Sequence, residues 1–121
     1  MPSAQPLQFF LDINVPAGRD QEVAALVEQI VAMTEQYDRR SLSYHFFFNA
    51  DRSKIFGIEI HADEAALVSH METVGELAAA LFSIANVERV VALGAMSPDL
   101  RSALAPFNPV FHEERIAGFT R

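Results

Sequence analysis

The chain has 121 residues, half of them hydrophobic, a net charge of −7 and no cysteine. That length suits one domain, 1–121, with a core at 7–95 and a C-terminal extension at 96–121. Disulfides, thiolate metal sites and cysteine nucleophiles are excluded, and the acidic balance, with scattered Lys and Arg, argues against a nucleic-acid partner.

The first six residues, Met1-Pro2-Ser3-Ala4-Gln5-Pro6, lack the charged-then-apolar pattern of a signal peptide. Leu7 to Val15 then reads as a strand, with Phe9, Leu11, Ile13 and Val15 on one face and Phe10, Asp12 and Asn14 on the other. Pro16-Ala17-Gly18 ends it. A helix runs from about Asp20 to Tyr37, with Val23, Leu26, Val27 and Ile30 at helical spacing. A polar loop, Asp38 to Ser41, leads into a second strand that holds Tyr44, His45 and Phe46-Phe47-Phe48. Asn49 to Ser53 is turn chemistry, and Ile55 to His61 a third strand.

Asp63 caps a long helix to about Ala85, with a break near Thr73-Val74-Gly75. Val87 to Ala95 is a fourth strand. Ser97-Pro98 starts a short helix that ends by Pro106, and Pro109 to Ile116 is a final edge strand. No apolar run nears the roughly 18 residues of a membrane span, so the expectation is a cytoplasmic protein that uses no membrane.

The order β-α-β-β-α-β is the ferredoxin-like α+β plan, here with an extra helix and strand. Its sheet carries helices on one face only. With Phe56, Ile58 and Ile60 placed under the helices, the open face shows Ile55, Gly57, Glu59 and His61, beside Phe10, Asp12 and Asn14. Stacking two such faces closes a dimeric α+β barrel, so the expected partner is a second copy of the chain. In that arrangement Asp12, Asn14, Glu59 and His61 converge at one end. A histidine beside a carboxylate is a usable general base, although the same groups can simply hydrogen-bond one another. Tyr44 or His45 faces the pocket, depending on a one-residue register choice that the sequence leaves open. No HxH, HxxxH or HExxH spacing supports a metal, and no glycine-rich loop supports a nucleotide.

Three segments carry a resemblance: Asn14-Val15-Pro16-Ala17-Gly18-Arg19-Asp20, Leu42-Ser43-Tyr44-His45, and the run Phe56 to His70. Over about Phe9 to Val91 they resemble the antibiotic biosynthesis monooxygenase-like (ABM) domains of the dimeric α+β barrel superfamily. Glu59, Asp63-Glu64 and His70 match a late-strand glutamate, an acidic turn and a helix histidine of that pattern. The resemblance implies a small homodimeric monooxygenase-like enzyme without tightly bound metal or other cofactor, acting on an aromatic or quinol-type molecule. His61 would be the base, Glu59 or Asp12 its orienting carboxylate, and Asn14 a polar anchor. Phe10 and Phe47 or Phe46 would be the apolar wall, with Leu67 and Met71 beside the ligand. His70 would stand at the mouth, or else partly exposed on its helix. The departures are specific: His61 stands where the family has Trp, and Gly57 and Leu67 stand where its quinone-forming oxygenases have Asn and Tyr. The alternative is a non-catalytic ligand-binding or stress-related dimer of the same fold.

Overall fold

The computed structural model describes residues 5–121; residues 1–4 of the segment read as lacking a signal-peptide pattern lie outside the described residues. Strands β1 (Leu7–Asn14), β2 (Ser41–Phe48), β3 (Lys54–His61), β4 (Asn86–Leu93) and β5 (Val110–His112) form one sheet in the order β2-β3-β1-β4-β5. Neighbours in the first four are antiparallel, while β5 runs parallel to β4 at the edge. Helices α1 (Asp20–Tyr37), α2 (Glu64–Thr73), α3 (Gly75–Phe82) and α4 (Pro98–Leu104) cover one face of it. Among the described residues no helix is long and apolar enough to cross a membrane.

The core follows strand alternation. Leu7, Phe9 and Ile13 of β1 point under the helices and are buried, meeting Val23 and Ile30 of α1, Leu67 of α2 and Leu81 of α3. Each such aliphatic side chain contributes about 1.5–3 kcal/mol when fully buried. The long second helix is broken at Val74, as the Thr73-Val74-Gly75 signal predicts. Asp63 accepts the Ala66 N–H at the start of α2, and Ser97 accepts the Leu100 N–H at the start of α4. Glu64 on α2 takes both the backbone N–H and the hydroxyl of Ser97, which ties the two helix starts together.

Two expectations need correction. The final strand covers Val110–His112 only, not Pro109 to Ile116; Glu113, its next residue, turns instead to Arg101. The two faces of β3 are also exchanged. Ile55, Gly57, Glu59 and His61 lie under the helices, and Phe56, Ile58 and Ile60 lie on the open face. The cause is the β1–β3 register, which sets Phe9 opposite Glu59 and Leu11 opposite Gly57. Directly paired residues share a face, so the inward set of β1 carries Glu59 and His61 inward with it. Gly57 fits there because a Cβ on it would lie 2.5 Å from the Phe46 ring.

The open face carries exposed aromatic side chains beside the polar Asp12, Asn14 and His45. Phe56 and Phe47 are 40% and 57% exposed, and Phe10 stacks on Phe56 with ring centroids 5.9 Å apart.

Candidate active site

Helix α1 carries Ile30 and Thr34 on one face, Asp38 follows four residues on as its C-terminal cap, and all three are buried. The α1 stripe thus ends on a carboxylate. Asp38 Oδ2 lies 3.0 Å from His70 Nδ1 on α2, and Asp38 Oδ1 accepts the Thr73 hydroxyl at 3.0 Å. Thr34 donates its own hydroxyl to Ile30 O, and its oxygen lies 3.5 Å from His70 Nδ1.

On the sheet side, the last turn of β3 supplies Glu59 and His61. His61 is fully buried; its Nδ1 lies 2.8 Å from Ser41 Oγ and its Nε2 2.9 Å from Glu59 Oε1. Register explains the serine, because Ser41 is the β2 residue paired with His61. The two imidazoles are 4.8 Å apart between centroids, and His70 Nε2 is 3.6 Å from the same Glu59 Oε1. That last separation exceeds hydrogen-bonding distance.

Burial lowers the His70 pKa below its ordinary value and outweighs the nearby Glu59 and Asp38 carboxyls, which act the other way. Burial thus favours the neutral imidazole of His70. With Asp38 accepting at Nδ1, the proton belongs on that nitrogen and the Nε2 lone pair faces Glu59. Tyr44, 5.0 Å from the His70 ring, is pushed far up, first by burial and then by Glu59, against a hydrogen bond with Thr34. It stays a neutral phenol.

These groups close one end of a cavity of about 320 Å³ between the sheet and the helices. Phe9, Leu11 and Phe46 form its floor, Ile30 and Met71 part of its walls, and Phe107 belongs to the C-terminal side. Of the side chains lining it, only Tyr44, Glu59 and His70 are polar. Such a chamber takes a largely apolar molecule and offers it one acid–base end.

The structure brings together Glu59, His61 and His70, and sets Tyr44, Leu67 and Met71 on the cavity wall. It does not bring Asp12 or Asn14 to them. Those residues pair with Phe56 and Lys54, on the opposite face of the sheet, and Phe10 lies there as well. Asp12 cannot orient His61, and Asn14 is no anchor in this cavity. His45 and Phe47 also point to the open face, stacked on each other at 6.3 Å, so the register choice falls to Tyr44. His70 stands neither at a mouth nor partly exposed, being 4% exposed. The order of the pair is inverted too: Glu59 meets the cavity and His61 sits behind it. Sequence reasoning missed Asp38, Thr34 and Ser41. The four-residue steps from Ile30 through Thr34 to Asp38 were the available signal for the first two.

No family model matches the sequence, and no curated protein does. Solved structures do match. MupZ from Pseudomonas fluorescens superposes with a TM-score of 0.83 at 23% identity, over 97% of this chain and 95% of that one. At that coverage the likeness takes in most of the 96–121 extension. A Caulobacter crescentus protein assigned as an antibiotic biosynthesis monooxygenase gives 0.69 at 14% identity, over 79% of this chain and 94% of that one. A further antibiotic biosynthesis monooxygenase gives 0.63 at 21% identity, over 75% and 99%. At these identities the likeness concerns the fold alone: the chain has the ABM-like α+β fold.

Proposed function

We propose that the chain is a homodimeric, monooxygenase-like enzyme that oxidises an apolar, ring-bearing small molecule with one acidic proton. The observation that carries this is the placement of Glu59 and the His70 Nε2 lone pair at one end of an otherwise apolar cavity. The names of the structural neighbours support the reaction class. In the proposed step Glu59 accepts a proton from a ring CH₂ or phenol-type position, held by its hydrogen bond from His61. For a CH₂ substrate, the carbanion gives an electron to dioxygen, the two radicals combine to a peroxide, and loss of water leaves a carbonyl. The balance is CH₂ + O₂ → C=O + H₂O. Tyr44 contributes a neutral phenol beside the reacting end. The cavity volume lies at the lower end of the usual range for small-molecule pockets, which favours compact ring systems. The exposed Phe47 and Phe56 support the homodimer, because pairing open faces would remove them from water.

Oxygen uptake with a panel of naphthols and quinols tests the reading. Glu59→Gln is expected to slow uptake by about 100-fold or more, within the range for loss of a general base. Unchanged uptake in Glu59→Gln refutes it, and His61→Ala should fall between variant and parent.

One observation favours a second reading. Among the described residues every buried side-chain polar atom has a partner, as a purely structural His–carboxylate cluster requires. A non-catalytic ligand-binding dimer would show thermal stabilisation by the same panel with no oxygen uptake.

A further inference from the structure

We infer that Glu59, His61 and His70 form an exchangeable transition-metal site that takes Zn²⁺ or Co²⁺ at the polar end of the cavity. Their ligand atoms all lie within 4.8 Å of one another. Tetrahedral bonds of about 2.1 Å place neighbouring donor atoms about 3.4 Å apart. The Glu59 Oε1 to His61 Nε2 and His70 Nε2 distances, 2.9 and 3.6 Å, bracket that spacing.

Two such spacings around one carboxylate oxygen are common by chance; what distinguishes this set is its outer partners. The Nδ1 of His61 faces Ser41 Oγ at 2.8 Å, and the Nδ1 of His70 faces the buried Asp38 carboxyl at 3.0 Å. Each contact turns the ring so that Nε2 points at the same carboxylate oxygen. Imidazole ligands of metals are oriented in this way, one nitrogen on the metal and the other on an oxygen acceptor. Asp38, the residue that follows α1, is itself fixed by Thr73 of α2, and Ser41 stands at the start of β2, while the ligands ride on β3 and α2. The three ligands themselves sit in a strand and a helix, which preserves their geometry when the ion leaves.

Two imidazole nitrogens and one carboxylate oxygen suit zinc, cobalt or iron(II), and not calcium or magnesium, which prefer all-oxygen sets. Glu59 and His70 border the cavity, so the fourth position opens onto it and can hold water or a ligand oxygen. A bound ion and the proton between His61 and Glu59 would occupy the same lone pairs. The metal site is therefore an alternative to the acid–base step proposed above, and its existence does not rest on that step.

The test is titration of the metal-free full chain with Co²⁺, followed by its visible d–d absorption and by calorimetry. The expected result is one equivalent per chain with the intense bands of four- or five-coordination, displaced by Zn²⁺. Glu59→Gln and His70→Gln should each weaken binding by at least tenfold. Asp38→Asn, which touches no metal, should weaken it by about 10–100-fold with the same band shape, the signature of a positioning residue. His45→Ala and His112→Ala, on the surface, should leave it unchanged; circular dichroism confirms that each variant is folded. Absence of any such spectrum, or binding lost with His45 or His112 but retained in folded Glu59→Gln and His70→Gln, overturns the assignment. Oxygen uptake is measured separately, so failure of the oxidation reading leaves the titration result intact.

Discussion

Removal of the Asp38 carboxyl isolates what holds His70 in place. In Asp38→Ala, Thr73 keeps a partner, because its hydroxyl already lies 2.9 Å from Ser69 O. His70 does not. Its Nδ1–H loses a 3.0 Å acceptor, and the Thr34 oxygen at 3.5 Å is too distant to replace it. One buried donor is left unsatisfied, at a cost of about 1–3 kcal/mol. With a urea m-value of about 2 kcal/mol/M for a domain of this size, a 2 kcal/mol loss lowers the unfolding midpoint by about 1 M. Asp38→Asn behaves differently, since an amide oxygen still accepts from His70 and its NH₂ donates to Thr73; its midpoint should fall by clearly less. The double variant Asp38→Ala/His70→Leu removes donor and acceptor together and should recover part of the loss, the coupling expected of residues in contact. The assay is urea unfolding at one fixed protein concentration, because a dimer's stability depends on concentration. Equal midpoints for Asp38→Ala and the parent, or no recovery in the double variant, would refute the tether.

Gly57→Ala would push a methyl into the Phe46 ring at 2.5 Å and against Leu11 at 3.2 Å; we expect about 1–3 kcal/mol of destabilisation, read by thermal melting. Ser97→Ala removes the cap on α4 and the hydroxyl contact to Glu64, and should cost about 1 kcal/mol in the same measurement. Phe56→Asp places a charge at the centre of the open face beside Phe10; analytical sedimentation should show dimer in the parent and monomer in the variant, and a parent that is monomeric at micromolar concentration ends the dimer proposal. Because burial lowers the His70 pKa below 6.5 against Glu59 and Asp38, with His61 adding to the lowering, the unfolded chain binds more protons just below that pH. Its contribution to stability is therefore full above about 6.5 and is lost as pH falls toward the lowered value. Urea midpoints of His70→Leu should lack this component of the acid-side decline.

Much of the fold was legible because local signals agreed with one another. The apolar stripe of Val23 and Ile30, the Val74 break and the Ser97 cap each have a local cause, and each stands where the sequence places it. What sequence alone could not supply was a single binary choice in β3. Both parities of that strand are apolar enough to bury: Ile55 on one, Phe56, Ile58 and Ile60 on the other. Judged by side chain, the set with Gly57, Glu59 and His61 looks like the wet face. Pairing decides otherwise, since the inward Phe9 lies opposite Glu59 and the inward Tyr44 lies opposite it on the other side. With a period of two, one wrong parity sends a whole strand's residues to the other face. That is why Glu59 and His61 stay together, being two residues apart, while Asp12 and Asn14, assigned to them across strands, are separated by the thickness of the sheet. The same choice explains the composition. A strand that buries Glu59 and His61 against helices must leave Phe56, Ile58 and Ile60 on the far side, and Phe10 and Phe47 join them there. The polar cluster inside and the apolar surface outside are thus one consequence of one register. A variant that alters the outer face alone, such as Phe56→Asp, should change association while leaving the Glu59–His61–His70 geometry, and any cobalt spectrum it yields, as it is in the parent.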